Sequence, residues 1–489
     1  MNYRLIAHYL GIFSIALGLL MLPSAGWAVY FREWPSLAAL LGATAVSVVL
    51  GGVLALLGGR PTRGISQHDA VGLVGISWLL LAGLGALPYV FGGIFGPVDA
   101  YFESMSGFTT TGSTVLGDIE AAPKSILFWR SFTHWLGGMG VVVLFIAVLP
   151  FIGAGGKMLF RSETPGPDPH GLRPRIKNTA SILWKIYLGF TVAETTALMV
   201  AGLSLFEALT QTFGTLATGG FSTRQASIAG FNSLAIELII IVFMVAAGVN
   251  FGLYFALLRK RWRAVLKDAE WRVYLLLLLL AALAVTLNIY RPNGGGGFLT
   301  YPTIGKALRY GSFQVVSIMT TTGFVTADFD QWPDFSRLLL LMLMFVGASA
   351  GSTGGGMKVV RIMVLLKMAY WRLEHTFRPK TVRAIRVAGV VVEDSLQRTI
   401  YAFFVLYLAI FVLGSLFIAS LGLPFTGAIS SVAATLNNIG PGLGVVGAVQ
   451  DYRVMPDIGK VVLSLFMVMG RLELFSILVL MVPTFWRRT

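Results

Sequence analysis

Long apolar runs alternate with short polar connections along almost the whole chain, and ten of the runs are long enough to cross a membrane. Crossing about 30 Å of hydrocarbon takes roughly 20 helical residues at 1.5 Å each. The runs lie near residues 5–31, 37–59, 70–92, 126–152, 180–205, 233–258, 272–290, 337–371, 400–421 and 458–485. Four shorter segments sit among them, near 98–109, 205–217, 306–319 and 425–436. A dozen helical residues reach about 18 Å, only halfway through a bilayer, so these segments are predicted to be re-entrant half-helices. Arg4 and the GWA at Gly26–Ala28 imitate a cleaved leader, but apolar residues continue through Phe31, which predicts an uncleaved first span.

A polar turn centred on glycine follows each half-helix, and the turns echo one another. The first lies in SMSGFTTTGSTVLGD (Ser104–Asp118), the second in TLATGGFSTRQ (Thr215–Gln225), the third in SIMTTTGFVTADFD (Ser317–Asp330) and the fourth in TLNNIGPGLG. Their glycines, Gly112, Gly220, Gly323 and Gly440, are separated by 108, 103 and 117 residues. Near-regular spacing of this kind predicts copies of one unit: span, half-helix, glycine turn, span. The expected division is a two-helix preamble over 1–65 and four pore repeats over 66–175, 176–268, 269–390 and 391–489.

Irregular backbone at membrane depth is tolerated only where it is buried in protein or lines a wet cavity. Four such turns around one axis would supply rings of carbonyl oxygens, the means by which a potassium-type filter holds a dehydrated cation. Glycine permits the dihedrals that aim successive carbonyls the same way. Threonine adds a hydroxyl ligand or braces the turn. The half-helices would direct the negative ends of their dipoles at the axis, which favours a cation there. The competing reading is that each glycine turn only packs helices, and the four copies are unequal: TTTG, ATGG, TTTG and NNIG.

Two apolar runs are interrupted. GASAGSTGGGMK (Gly347–Lys358) follows only nine continuously apolar residues, Leu338–Val346, and has five glycines in ten positions. It is predicted to leave the helical state near mid-membrane. It reads as a flexible gate beneath the turns formed by Gly347, Ser349, Gly351, Ser352, Gly354, Gly355 and Gly356, with Lys358 and Arg361 guiding it or anchoring the span. The alternative is a small-residue packing face that stays helical. In the last run, VMGRLELF places Arg471 and Glu473 between apolar segments, where a charge is costly and marks a functional candidate. On one helix the two would not share a face. Arg471 is expected to face the pore and repel a cation, or else to form a structural ion pair, with Glu473 bonding a neighbouring helix. Arg130 and His134 are expected to be structural residues near the outer interface. Glu103, Asp118, Glu120, Asp328, Asp330, Asp334 and Asp451 would raise the cation concentration at an outer mouth, or serve as solvated loop residues.

Composition sharpens this picture. Of 489 residues, 56% are hydrophobic and 12% charged, with a mean hydropathy of +0.78, which excludes a soluble domain. There is no cysteine, so thiolate chemistry and disulfides are excluded, and the five histidines show no metal-ligand spacing. The net charge of +15 follows topology rather than nucleic-acid binding. Alternate connections carry it: Arg60 and Arg63; Lys157, Arg161, Arg173, Arg175 and Lys177; Arg259 to Arg272; Arg372 to Arg386. By the positive-inside rule these face the cytoplasm, as do both termini. No nucleophile–base pair that would favour an enzyme is visible in the spans.

The ordered set TTTGST, ATGGFST, TTTGFVT, NNIGPG, GASAGSTGGGMK and MGRLELF resembles the bacterial Trk/Ktr/HKT superfamily of potassium transporters over essentially the whole chain. The two extra N-terminal spans and the length make it most similar to the membrane subunits of Trk-type uptake systems. The resemblance implies four membrane-pore-membrane repeats, K+ as the transported ion, a gating loop in the third repeat and an arginine, Arg471, guarding the path. It implies carbonyls lent by Thr110 and Thr111, Thr218 and Gly219, Thr321 and Thr322, and Asn438 and Ile439, each pair ahead of its glycine, and a permeant Rb+. It also implies a homodimer in a bacterial inner membrane, with a TrkA-like cytoplasmic ring of RCK subunits that senses nucleotide. The chain itself has no GxGxxG or Walker sequence, so no nucleotide is expected in it. A Na+- or H+-coupled symporter is the alternative, against which stands the absence of inverted repeats.

Overall fold

The computed structural model describes residues 1–59, 66–148, 172–292, 294, 297–380, 384–387 and 390–486. Five helices among these are long and apolar enough to cross a membrane: Tyr3–Tyr30, Trp34–Gly58, His68–Phe91, Ala269–Ile289 and Asp394–Ser420. The expected spans near 5–31, 37–59, 70–92, 272–290 and 400–421 correspond to them. Helices Lys124–Val148 and Leu172–Val200 cover the described parts of the next two expected spans. Arg60, Arg63, Lys157, Arg161, Arg383 and the C-terminal arginines lie outside the described residues. The only strands among the described residues are Arg386–Val387 and Val390–Val391, a short antiparallel pair in a basic connection.

Small residues decide how the first two spans pack. A Cβ on Gly51 would meet the Gly11 carbonyl, and one on Gly58 would meet the backbone of His8, so the two helices cross at backbone distance. In lipid, where apolar burial gives helices little reason to associate, such close van der Waals contact replaces it.

Short helices occupy the four expected half-length segments: Pro97–Phe108, Leu205–Leu216, Ile304–Met319 and Phe425–Leu436. Their starts follow from local chemistry. Pro97 supplies a pre-set first-turn φ, and Ser204 caps the second of them, its Oγ accepting from the Glu207 N–H at 3.2 Å. Gly202 and Gly422, both at positive φ, end the long helices before the second and fourth of them and let the chain double back.

Two expected spans are corrected. The run near 233–258 is two helices, Leu234–Ala247 and Phe251–Leu258, bent by 93°. Gly248 ends the first against the Tyr274 ring, and Asn250 opens the second by accepting from the Gly252 N–H at 2.7 Å. The run near 458–485 stops as a helix at Arg471, because Glu473 and Leu474 take φ of 58° and 51°. Arg471 and Glu473 are therefore not on one continuous helix. A short helix Phe475–Leu478 and 3-10 turns continue to Trp486. The run near 337–371 divides as expected, into Asp334–Val346 and Val359–Phe377, with the Gly/Ser segment non-helical between them.

Candidate functional site

The four glycine turns close in one way. The N–H two residues before each glycine (Thr110, Thr218, Thr321, Asn438) bonds back three residues at 3.0–3.3 Å, and that of the next residue (Thr111, Gly219, Thr322, Ile439) bonds back five at 2.8–2.9 Å. This pattern needs a left-handed residue past the helix end. Thr110, Thr218, Thr321 and Asn438 provide it, with φ of 53°, 55°, 60° and 56°. The glycines Gly112, Gly220, Gly323 and Gly440 are again at positive φ, from 77° to 97°. Holding a β-branched threonine left-handed costs on the order of 1–3 kcal/mol, and strain of that kind persists where the surroundings impose it for function.

The turns meet in a ring. A Cβ on Gly112 would overlap the Gly219 carbonyl oxygen, one on Gly220 that of Thr322, and one on Gly323 that of Ile439. The circuit closes at Gly440, whose Cβ would lie 2.8 Å from the Thr111 carbonyl oxygen. Each seam thus brings the carbonyl preceding one glycine against the glycine of the turn before it in sequence, the fourth turn meeting the first. The lining side chains are buried. Thr111 and Thr322 pair their hydroxyls with those of Thr109 and Thr320 at 2.8 Å, so these threonines brace their own turns. Thr110 Oγ1 is buried with no hydrogen-bond partner among the described residues.

In the divergent fourth turn, Asn438 Nδ2 donates to Thr111 Oγ1 at 2.9 Å and to the Met467 carbonyl at 2.8 Å. Asn437 accepts from the Tyr407 hydroxyl at 2.5 Å. Above it the Gly440 carbonyl accepts from Tyr452 Oη at 2.9 Å and from Ser113 Oγ at 3.2 Å. Burial pushes the Tyr452 phenol well above its usual range, which keeps it a donor at any physiological pH. Above the ring an open cavity is lined by Ser113, Thr114, Phe221, Gln225, Gln450 and Tyr452, among others.

Beneath the ring lies the segment Gly347–Lys358. Thr353 Oγ1 donates to the Leu216 carbonyl at 2.9 Å, the last residue of the second short helix. The Gly355 N–H donates to Thr321 Oγ1 at 2.6 Å, and the Gly355 backbone lies against the Asn437 carbonyl. The segment therefore touches the ends of three of the four short helices. Ser349 and Ser352 are buried, and Gly347, Gly351 and Gly356 are at positive φ. Lys358 Nζ donates to the Gly354 carbonyl. Arg471 reaches the same segment: Nη1 donates to the Thr353 carbonyl at 2.6 Å and Nη2 to the Gly137 carbonyl at 3.3 Å. No carboxylate pairs with Arg471 among the described residues, so the ion-pair alternative is not what the structure holds. Glu473 instead pairs with Arg361.

Other expectations need correction. Glu103 is not at an outer mouth: it is fully buried and paired with Arg130. Arg130 and His134 are fully buried behind the second turn, on either side of Phe221, rather than at the outer interface. The Arg130 guanidinium is 3.6 Å from the Phe221 ring centroid, and His134 stacks on that ring at 4.1 Å. Of the other acids, Asp330 is tied to Arg337 and Asp451 to Arg453. Sequence reasoning overlooked Thr353, Asn250 and Tyr452. It also overlooked Glu194, fully buried in Leu172–Val200 with neither carboxylate oxygen hydrogen bonded among the described residues. The nearby Thr215 hydroxyl donates to the Gln211 carbonyl instead.

A family model described as TrkH, cation transport protein, matches residues 40–488. The "Trk system potassium uptake protein TrkH" of Salmonella typhimurium is 38% identical over 492 residues, covering 100% of both chains. Its Escherichia coli K12 counterpart is 37% identical over 491 residues, again covering 100% of both. The crystal structure of the potassium transporter TrkH from Vibrio parahaemolyticus superposes with a TM-score of 0.90 at 35% identity, covering 100% of each chain.

Proposed function

We propose a function from one premise: this chain belongs to the TrkH family of cation transport proteins. It is a membrane transporter and not an enzyme. Its role is potassium uptake, with K+, and Rb+ as a substitute, moving inward through one axial path. The observation that carries this reading is the closed ring in which the carbonyls of Thr111, Gly219, Thr322 and Ile439 each abut the glycine of the neighbouring turn. Carbonyl dipoles so gathered replace the hydration shell of a monovalent cation. Four membrane-pore-membrane repeats supply the ring, the preamble stands outside it, and Thr110, Thr218, Thr321 and Asn438 turn the backbone so that the next carbonyls reach the axis.

The segment Gly347–Lys358 is the gate in this reading, supported by its hydrogen bonds at two short-helix ends and its close approach to a third, directly below the ring. Arg471 holds the gate through the Thr353 carbonyl and opposes a cation beneath it. A cytoplasmic, TrkA-like RCK ring that binds nucleotide would bias the gate. The working unit is a homodimer in a bacterial inner membrane with both termini cytoplasmic. Reversal potentials of reconstituted protein under opposed K+ and Na+ test the ion assignment. A potential near that of K+ supports it, and one near zero refutes it. Arg471→Ala should raise single-channel conductance several-fold, because one fixed positive charge leaves the path. A lowered melting temperature with unaltered conductance would make the arginine purely structural.

The coupled alternative, a Na+- or H+-driven symporter, has one observation in its favour: the buried, unbonded carboxyl of Glu194. An intramembrane carboxyl is where a proton relay would begin. Lumenal acidification in strict proportion to Rb+ uptake, abolished by Glu194→Gln, would select that reading. Uptake with no pH change and no requirement for Na+ selects passive conduction.

A further inference from the structure

The back of each turn is braced by a polar side chain of its short helix, and the four braces differ in one respect. Nine residues ahead of their glycines, the first three helices have Glu103, Gln211 and Gln314. Gln211 Nε2 donates to Ser222 Oγ at 3.2 Å and Thr223 Oγ1 at 3.3 Å, and Gln314 Nε2 to Thr326 Oγ1 at 3.3 Å. In the fourth helix Ser430, one residue earlier, exchanges hydrogen bonds with Leu443 at 2.9 and 3.0 Å. These are neutral bonds within one unit. Glu103 does the equivalent work in the first, accepting from the Val115 N–H at 2.9 Å and from the Thr114 hydroxyl at 3.0 and 3.1 Å. It alone is charged, and it alone has a cationic partner that reaches the next turn.

That partner is Arg130, 2% exposed, whose Nε donates to Glu103 and whose Nη1 donates to the Ser222 carbonyl at 3.2 Å. Its guanidinium also lies over the ring of Phe221, the residue after Gly220, in a cation–π contact. The other seams are tied without a buried ion pair: Ser227 Oγ accepts from the Val325 N–H, Asp330 from the Gly444 N–H, the Thr114 carbonyl from the Tyr452 N–H, and Thr111 Oγ1 from Asn438 Nδ2. Among the described residues, only the seam between the first and second turns is fixed by a fully buried ion pair. Two buried charges attract strongly where water is excluded, and the planar guanidinium fork sets direction as well as distance.

We infer that the Glu103–Arg130 pair is a positioning device for ion selection, clamping the outward leg of the first turn to that of the second and so fixing the carbonyl spacing at their seam. The inference rests on the reading of the ring as a potassium filter. A buried pair of this kind is a weak source of net stability, since apolar or neutral replacements of similar volume often do as well. Its geometry is the more distinctive contribution.

The test uses the full-length protein in proteoliposomes, with the K+ to Na+ permeability ratio as readout beside the melting temperature. Glu103→Gln/Arg130→Leu gives the first turn the neutral brace of the second and third. The leucine matches Leu463, buried seven residues ahead of Gly470 in the last helix as Arg130 is ahead of Gly137. Arg130→Lys keeps the charge but loses the fork. The expected result is a folded double variant that still takes up Rb+ with K+ selectivity reduced about ten-fold, and an intermediate reduction for Arg130→Lys. Unchanged selectivity in either folded variant overturns the inference, whatever happens to the melting temperature. Should the double variant fail to fold, Arg130→Lys alone decides. A wild-type protein that does not prefer K+ over Na+ would refute the filter reading itself, an outcome separate from either.

Discussion

Gly323→Ser is expected to weaken K+ over Na+ discrimination by ten-fold or more, a loss of at least about 1.4 kcal/mol in differential binding. The reason is local. Gly323 has φ of 79°, where a side chain is strained, and a Cβ there would overlap the Ile439 carbonyl oxygen and come within 2.9 Å of Pro441 Cδ. The seam between the third and fourth turns must then open. A carbonyl ring discriminates between ions through the number and field of its dipoles, so one displaced member is enough to relax selection. Gly52→Ser is the control, because nothing lies within 4 Å of a Cβ at that helical position. Competition of external Na+ against Rb+ uptake measures both variants. Selectivity equal to wild type in Gly323→Ser would remove that glycine from the filter.

Deleting Gly351–Gly355 is expected to raise basal Rb+ uptake about ten-fold in the absence of any cytoplasmic partner. The deletion removes Thr353, with its bonds to the Leu216 and Ala247 carbonyls, and Gly355, with its bond to Thr321. It also removes the carbonyl to which Arg471 Nη1 donates. What lies beneath the ring is then open, while the ring's own seams are untouched. Thr353→Val, close in shape but without the hydroxyl, should raise uptake by a smaller factor in the same direction. A deletion variant that folds but conducts no more than wild type, or one that does not fold, would identify the segment as a packing element.

Much of this arrangement is legible in the chain because its signals are local. The short helices fall within two residues of the expected segments at both ends, since each is bounded by a turn residue or cap and by a glycine at a recurring interval. The non-helical Gly347–Lys358 segment is equally legible, as five glycines in ten residues leave a helix little to stand on.

The losses share a different cause. Between 233 and 258 hydropathy hardly falters, and the 93° bend depends on Gly248 seating against Tyr274 and on Asn250 capping, which a hydropathy scan reads as two weak interruptions. The end of the last helix at Arg471 rests on left-handed Glu473 and Leu474, and the charge of Arg471 is met by carbonyls of Thr353 and Gly137, far away in sequence. Left-handed Thr110, Thr218 and Thr321 run against residue preference, which is why the expectation placed backbone freedom at the glycines alone. From sequence Glu103 reads as a mouth carboxylate because its partner is 27 residues away on another helix. One sequence signal was there to be used: aligning the turns on their glycines puts Glu103 in register with Gln211 and Gln314.

The central claim is that four glycine turns make one potassium filter, and radioactive Rb+ uptake into K+-loaded proteoliposomes tests it most directly. The account predicts uptake that external K+ blocks and that an equal concentration of Na+ hardly affects. Uptake blocked equally by both ions, or none with or without the cytoplasmic ring, would contradict it and return the four turns to the role of packing devices.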